Sequence, residues 1–286
     1  MPKNDLIQKI PRRDTIIVNC QLSIVNCQFN LPRREFIFGG ISMEPQYVQN
    51  FTVDDMAVDR FGYLKPSAIL FYAQEVAGAH CKALALDYDT LASRRMFWAV
   101  IRHRVQITRL PTRGETIRVE TWPMPTTRAA YPRSVVAYDE AGNECFRSIS
   151  LWVLMDLDTR NMILPGKSGI TVSGALRGTE LAVPQSLAPG QLRSSSRRSV
   201  CYTDLDRNGH MNNTRCLDWV YDLLPSEFHR AHQLREFTVC YFSEGREGQE
   251  LTLRWDFPES GVLQADSYRR EEDREVRVFS LRIRYE

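Results

Sequence analysis

A polar segment, DLDRNGHMNN at residues 204–213, leads directly into an apolar stretch of helix length. Asp206, Asn208 and His210 are spaced two residues apart, so in an extended segment their side chains point to the same side. A carboxylate, an amide and an imidazole placed together are suited to proton transfer and to stabilising a developing negative charge. Gly209 between them permits an unusual backbone angle or a close approach. This segment is therefore a candidate reaction site.

The sequence that follows, NNTRCLDWVYDLL, predicts a helix over 212–224 with Asn212 or Asn213 as its N-cap. The N–H groups at the start of such a helix carry the positive end of its dipole and suit an oxyanion. The polar segment therefore predicts both the start of a helix and a site beside it.

The chain repeats one design twice. DRFGYL at 59–64 matches DRNGHM at 206–211, and each is followed by a helix-length segment and then by strand-like runs. VQITRLPTRGETIRV at 105–119 aligns without gaps on VCYFSEGREGQELTL at 239–253. We expect each copy to be a long antiparallel sheet around one central helix, with the first helix at 66–84. The fold class is α+β, and the two sheets should join side by side.

The duplication separates residues of the fold from residues of the site. Asp59 corresponds to Asp206, so this aspartate is common to both copies. Three other positions are apolar or weakly polar in the first copy and polar in the second: Phe61 against Asn208, Tyr63 against His210, and Leu110 against Glu244. Residues that only supported the fold would be expected in both copies. Together with Asp206, which the polar segment places on the same predicted side, these residues form the candidate catalytic set Asp206, Asn208, His210 and Glu244.

Composition argues against several classes of protein. A net charge of +2 gives no basic stripe for nucleic acid. The seven cysteines contain no CxxC pair, which favours a reducing compartment, and we expect a cytoplasmic protein. No apolar run approaches the ~20 residues of a membrane span, so membrane insertion is not expected. His229 and His232 lack further ligands at metal-binding spacing, and neither a metal nor a cofactor is expected.

The remaining segments set the domain organisation. IVNCQ occurs twice near the N-terminus without apolar periodicity, which predicts a disordered tail or a start codon assigned upstream of Met43. A stretch rich in Gly, Ser and Pro separates the two copies and is typical of a linker. We expect a tail at 1–43, a first unit at 44–165, a linker at 166–194 and a second unit at 195–286.

The polar segment of the second copy resembles a motif of a known family. DLDRNGHMNNTRCLDWVYD is similar to the Asp-x-Asn-x-His-x-Asn-Asn segment of the acyl-acyl carrier protein thioesterases of plants and bacteria. FTVCYFSEG resembles the strand that carries their catalytic glutamate, and the similarity extends over about residues 47–286. Asp206, Asn208, His210 and Glu244 match the family's catalytic set, although Gly245 stands where the plant enzymes carry a cysteine. That difference favours an activated water over a cysteine nucleophile.

The resemblance implies a tandem hotdog fold, with an N-terminal unit that accepts the acyl chain and a C-terminal unit that catalyses. The implied activity is hydrolysis of fatty acyl-acyl carrier protein, which releases free fatty acid and ends chain elongation in fatty acid biosynthesis. The implied partner is an acidic acyl carrier protein, with Arg207, Arg197 and Arg198 as candidates to meet it.

Three alternatives share parts of these features. A hotdog hydratase or dehydratase also combines His with Asp or Glu, and it acts on 2-enoyl or 3-hydroxyacyl thioesters. An acyl-CoA thioesterase and a non-catalytic acyl-binding module are the other two. The sequence leaves open whether His210 or Glu244 is the general base, which residues bind substrate, the preferred chain length, and the oligomeric state, a homodimer included.

Overall fold

In the computed structural model, the described residues are 46–178 and 180–286, together with the strand backbone at 37–38 and 41–42. Residues 37–286 form one compact unit. Most of the predicted tail lies outside the described residues. Two short strands within it, β1 (Ile37–Phe38) and β2 (Ile41–Ser42), pair antiparallel.

Two series of elements follow one another in the same order. The first comprises β3 (Tyr47–Thr52), α1 (Pro66–Ala83), α2 (Tyr88–Ser93), β4 (Met96–Ile107), β5 (Thr116–Pro123), β6 (Tyr131–Tyr138) and β7 (Glu144–Asp156). The connection carries β8 (Met162–Ile163) and α3 (Pro165–Ser168). The second comprises β9 (Ser194–Ser199), a 3₁₀ turn (Tyr202–Asp204), α4 (Arg215–Tyr221), α5 (Ser226–Ala231), β10 (Leu234–Tyr241), β11 (Glu250–Glu259), β12 (Val262–Glu271) and β13 (Arg274–Tyr285).

Strands β3 to β13 form one antiparallel sheet. Its order is β3-β5-β6-β7-β4-β10-β13-β12-β11-β9, with β8 paired to β7. The halves join through β4 and β10, where Arg104 lies opposite Thr238. These two residues also correspond when the gapless alignment is continued towards the N-terminus, so an approximate twofold axis passes between them. The predicted side-by-side joining of the two sheets is confirmed.

Helix α1 forms within one residue of its predicted bounds. Pro66 occupies its first turn, where a missing N–H breaks no helical hydrogen bond. The alanines and long apolar side chains that follow favour helix, and Ile69, Leu70 and Val76 are buried against the sheet. Ala85 has φ 53° just after the helix. A left-handed residue there ends it.

Helix α4 is shorter than predicted. It begins at Arg215, with Thr214 as N-cap and no side-chain cap, so the prediction of Asn212 or Asn213 as N-cap is wrong. The reason is local. Asn212 Oδ1 accepts hydrogen bonds from the backbone N–H and the hydroxyl of Thr214, both at 2.9 Å, which forms a turn in place of the first helical turn.

The stretch predicted as a linker crosses the face of the sheet opposite the helices. Arg102, which alternates with core-facing residues of β4, donates to the carbonyl of Pro184 at 3.2 Å. The buried Asp266 accepts from the N–H of Gly190 at 2.8 Å. The connection is therefore fastened to the back of the sheet along its length, and the helix side remains available for the site.

Candidate active site

Residues Asp206 to His210 form a tight hairpin loop. The N–H of Asp206 donates to the carbonyl of His210 at 2.8 Å, and the N–H of Gly209 donates to the carbonyl of Asp206 at 3.0 Å. Gly209 has φ 75°, which closes the turn at little steric cost. The predicted extended backbone at 206–210 is therefore wrong.

The carboxylate of Asp206 holds this loop from inside. It accepts from the backbone N–H groups of Asn208 at 2.8 Å and His210 at 3.3 Å, and from Nδ2 of Asn208 at 3.4 Å. Side-chain to backbone bonds of this kind compete with an extended strand. Asp206 thus orients His210 through the main chain.

The first half contains the same loop with other side chains. Asp59 accepts from the N–H groups of Phe61 at 2.8 Å and Tyr63 at 3.0 Å, and Gly62 has φ 84°. The duplicated aspartate is therefore part of the loop in both halves. What distinguishes the second loop is the pair of side chains at positions 208 and 210.

His210 and Glu244 form an ion pair or hydrogen bond. Nε2 of His210 lies 3.0 Å from Oε2 of Glu244. The side chain of His210 is 15% exposed and that of Glu244 is 41% exposed, so water reaches the carboxylate more easily than the imidazole. An imidazole joined to a carboxylate can accept and return a proton.

Backbone contacts bring these two residues together. His210 forms a β-bridge with Arg246, and the N–H of Met211 donates to the carbonyl of Gly245 at 2.8 Å. Arg269 donates to the carbonyl of Glu244 at 2.6 Å. The hairpin loop is therefore hydrogen-bonded to the segment after β10. This pairing of distant segments places the carboxylate of Glu244 beside the imidazole of His210.

All four candidate residues line one cavity of about 590 Å³. Asp206, Asn208, His210 and Glu244 form its polar side, and apolar side chains of β4 and β13 contribute to the other. A second cavity of about 610 Å³ lies between α1 and the first half of the sheet. The two cavities share Gln74, Tyr88, Trp98, Trp152 and Arg207 as lining residues. They therefore adjoin, as a path from a reacting group to a chain-binding space would require.

Two polar side chains of the first half contact polar residues of the second half in this cavity, and both were missed from the sequence. Arg160, in the turn after β7, donates to Oε1 of Glu244 at 3.4 Å. Gln74 of α1 donates to Oδ1 of Asn213 at 2.9 Å. A polar residue within the largely apolar helix was the available signal for Gln74. Arg160 lies in a segment, DTRN, whose pattern indicates only a turn.

Burial keeps two thiols of the second half protonated, that of Cys216 at the cavity and that of Cys240 on β10. Burial raises the pKa of the Cys216 thiol to about 12, and burial also raises the pKa of Cys240. Since the thiolate is the nucleophilic form, neither residue is activated. A side chain at Gly245 would also be tight, because its Cβ would lie 3.3 Å from Cβ of Met211.

Within the described residues, no group of three or more His, Cys, Asp or Glu side chains is placed to hold a metal ion. Across the same part of the chain, no helix is long and apolar enough to cross a membrane. Nε2 of His229 donates to the carbonyl of Tyr221 at 3.0 Å, and Nδ1 of His232 donates to the carbonyl of Phe228 at 3.0 Å.

Comparison with models of protein families shows to which family the chain belongs. The model of the acyl-ACP thioesterase N-terminal domain matches residues 44–164, and that of the acyl-ACP thioesterase C-terminal domain matches residues 190–280. The chain belongs to the acyl-ACP thioesterase family. The resemblance noted in the sequence is thus confirmed over both halves.

Named relatives are distant in sequence. A chloroplastic palmitoyl-acyl carrier protein thioesterase of Gossypium hirsutum is 26% identical over 227 residues, which cover 72% of this chain and 54% of that protein. A chloroplastic oleoyl-acyl carrier protein thioesterase of Coriandrum sativum is 26% identical over 197 residues, covering 60% and 52%. The chain spans about half the length of the curated relatives it matches.

Solved structures show the same fold. An acyl-ACP thioesterase from Bacteroides thetaiotaomicron superposes with a TM-score of 0.74 at 22% identity, covering 85% of this chain and 98% of that one. A 12:0-ACP thioesterase from Umbellularia californica gives a TM-score of 0.72 at 22% identity, covering 88% and 99%. The tandem hotdog fold expected from the resemblance is confirmed.

Proposed function

We propose that the protein hydrolyses the thioester of fatty acyl-acyl carrier protein, releases free fatty acid and thereby ends chain elongation in fatty acid biosynthesis. The observation that carries the proposal is the 3.0 Å contact between His210 and Glu244 on the wall of a cavity that adjoins a second cavity. Membership of the acyl-ACP thioesterase family supports the same reaction.

The His210–Glu244 pair activates a water molecule in this proposal. The water oxygen attacks the thioester carbonyl carbon, and its proton passes to the pair. The C–S bond then breaks, and the departing thiolate takes that proton. The products are a free carboxylic acid and the thiol of the carrier. We assign the base to the pair as a unit, because two groups in contact share a proton.

Asn208 is the proposed donor to the oxyanion. It lines the cavity, and its Nδ2 makes a long contact of 3.4 Å with Asp206 that a developing negative charge can replace. The N–H groups at the start of the helix, predicted to stabilise the oxyanion as well, are less available for that role. The N–H of Asn212 already donates to Asp204 at 2.8 Å, and that of Thr214 donates to Asn212 at 2.9 Å.

One assay separates this reaction from its alternatives. Purified protein is incubated with saturated acyl-acyl carrier protein, with its crotonyl form and with acyl-CoA. We expect free thiol from the saturated carrier substrate at a higher kcat/KM than from acyl-CoA. Loss of enoyl absorbance without thiol release would indicate a hydratase, and binding without either change would indicate a non-catalytic module.

Water as nucleophile predicts that cysteine is dispensable. Cys216→Ser and Cys240→Ser should leave kcat within a few-fold of the starting protein, because both thiols are protonated by burial. A loss comparable to that of a catalytic residue in either variant, with the fold intact, would contradict the mechanism.

The carrier partner is supported by the position of Arg207. Its guanidinium stacks over the ring of Tyr88 at 4.2 Å and lines both cavities. The other two candidates are engaged elsewhere: Arg197 pairs with Glu250 at 3.3 Å and Arg198 with Asp222 at 2.7 Å. We propose that Arg207 meets the acidic carrier or its phosphate-bearing arm. Rising salt should then raise KM for the carrier substrate more than for acyl-CoA.

The acyl chain is proposed to occupy the cavity of about 610 Å³ in the first half. Mass spectrometry of the acids released from a mixed-chain substrate pool would give the preferred length. Narrowing this cavity with Gly78→Leu should shorten the preferred chain; an unchanged profile would place the chain elsewhere.

The compartment and assembly are also proposals. Scattered free cysteines support a cytoplasmic location, which fractionation of the host cell tests. A homodimer would appear as twice the chain mass in light scattering of the purified protein.

A further inference from the structure

The site of the second half receives side chains from the first half on two sides. Arg160 contacts Glu244 and Gln74 contacts Asn213. Both also line the cavity that holds the candidate catalytic residues. The sequence comparison of the two copies assigns all the chemistry to the second, so these contacts add a contribution that the duplication does not reveal.

Arg160 and His210 contact different carboxylate oxygens of Glu244. Its Nη1 lies 3.4 Å from Oε1, while Nε2 of His210 lies 3.0 Å from Oε2. The guanidinium is also held over the ring of Phe97 at 4.9 Å. With one oxygen held by the arginine, the other is directed at the imidazole.

Several hydrogen bonds close the turn that presents Arg160. The carboxylate of Asp156 accepts from the N–H groups of Asp158 at 3.0 Å and Thr159 at 2.8 Å, and the N–H of Arg160 donates to the carbonyl of Asp156 at 3.1 Å. Arg160 itself has φ 57°, which glycine would adopt at lower cost. Glycine, however, could not reach Glu244.

Stability alone does not account for the Arg160–Glu244 pair. The two side chains are 44% and 41% exposed. Exposed ion pairs contribute little to folding. The pair can affect the reaction rate through the orientation of Glu244, because a small misplacement of a reacting group can cost up to about 10²-fold in rate.

Gln74 holds the other end of the polar segment. Its Nε2 donates to Oδ1 of Asn213 at 2.9 Å. The carbonyl of Asn213 accepts from the hydroxyl of Tyr241 at 3.0 Å and from Sγ of Cys216 at 2.9 Å. Asn213 is thus fixed through its main chain by the second half and through its side chain by the first.

We propose that Arg160 and Gln74 are positioning residues, through which the first half sets the geometry of Glu244 and of the polar segment. This inference rests on the proposed thioester hydrolysis. Active-site geometry is then a property of the joined halves, and the first half does more than hold the acyl chain.

Arg160→Ala should lower kcat about tenfold on acyl-acyl carrier protein, with KM within twofold and an unchanged melting temperature. Arg160→Lys should recover part of the loss, because the ammonium supplies a charge without the planar fork. Arg95→Ala is the matched control. Arg95 is also in the left-handed region, with φ 58°, and it pairs with Asp158 of the same turn, away from Glu244. It should keep normal kcat and KM.

Gln74→Leu should lower kcat to a similar degree, again with KM little changed. The double variants Arg160→Ala/Glu244→Ala and Gln74→Leu/Asn213→Ala should be no worse than the more damaged single variant, since each pair acts through one contact. Additive losses would overturn the positioning role.

Other results would also overturn it. If the starting protein is active and Arg160→Ala and Gln74→Leu both keep normal kcat, the positioning inference is wrong while the proposed function stands. A raised KM with normal kcat would make Arg160 a substrate-binding residue, and a fall in melting temperature that accounts for the lost activity would make both residues structural. If the starting protein releases no thiol, the proposed function fails and this inference fails with it.

Discussion

The loops at 59–63 and 206–210 share one backbone and differ in their chemistry. In each, an aspartate accepts two backbone N–H groups and a glycine with positive φ closes the turn. Only the second loop presents an imidazole to a carboxylate. The comparison teaches that the aspartate and glycine build the loop, whereas the residues at positions 208, 210 and 244 turn it into a candidate site.

The same contrast extends to the strand-like segments that the loops meet. Tyr63 bridges to Thr112 as His210 bridges to Arg246, and the backbone partners are equivalent in the gapless alignment. Leu110 therefore occupies the place of Glu244 and packs against the core. One half uses this position for burial, and the other uses it for a solvent-accessible carboxylate.

The largest effect should come from breaking the pair that only the second half possesses. His210→Ala and Glu244→Ala should each lower kcat by about 10²–10⁴-fold, because a general base is lost. Asn208→Ala should cost about 10²–10³-fold through the oxyanion. Steady-state thiol release measures these losses, and circular dichroism checks the fold.

The sister positions supply the controls for that experiment. Tyr63→Ala and Leu110→Ala should alter stability or chain-length preference and leave kcat within a few-fold. Near-normal kcat in both His210→Ala and Glu244→Ala would show that the site is misplaced.

Replacing either aspartate should lower the stability of the protein to a similar extent, but the two replacements should differ in their effect on activity. Asp206→Ala and Asp59→Ala each remove the acceptor of two backbone N–H groups, and each should cost about 1–2 kcal/mol of unfolding free energy in urea. Only Asp206→Ala should lower kcat, since only that loop carries His210. Equal activity losses in both variants would remove the distinction between loop and site.

A buried histidine offers a pH test of the same comparison. Burial lowers the pKa of His103 from 6.5 to about 3, and the corresponding residue of the second half is Phe237. The unfolded chain binds a proton between these pH values that the folded protein does not bind. Stability should therefore fall as pH decreases from 6.5 to 3, by at most about 1.4 kcal/mol per pH unit from this residue.

His103→Phe, which copies the second half, should flatten that part of the stability profile. Urea unfolding at several pH values between 3 and 6.5 measures the slope in both proteins. An identical slope would mean that acid destabilisation has another origin.

The smallest effect should distinguish the arginines of the two loops. Arg207 and Arg60 correspond, and each stacks on an aromatic ring, but only Arg207 lines the two cavities. Arg207→Ala should raise KM for the carrier substrate a few-fold at low salt, and less at high salt. Arg60→Ala should change neither value. Equal responses would remove Arg207 from the carrier surface.

Local sequence patterns predicted much of this molecule. The repeat predicted two similar units whose sheets lie side by side, and the alanine-rich segment after Pro66 predicted α1. The pattern failed where short-range hydrogen bonds competed with it. Asp206 and Asn212 bend the chain through their own backbone partners, so the extended segment and the early helix start did not form.

The sequence by itself determined the duplication and the residues that differ between its copies, because both follow from comparing side chains position by position. Only the tertiary structure decided that Glu244 meets His210 and that Arg160 and Gln74 reach the same cavity. The partners in these contacts come from segments far apart along the chain. Their distances depend on which strands join the two halves and in which register, here β4 with β10, and a local pattern specifies neither.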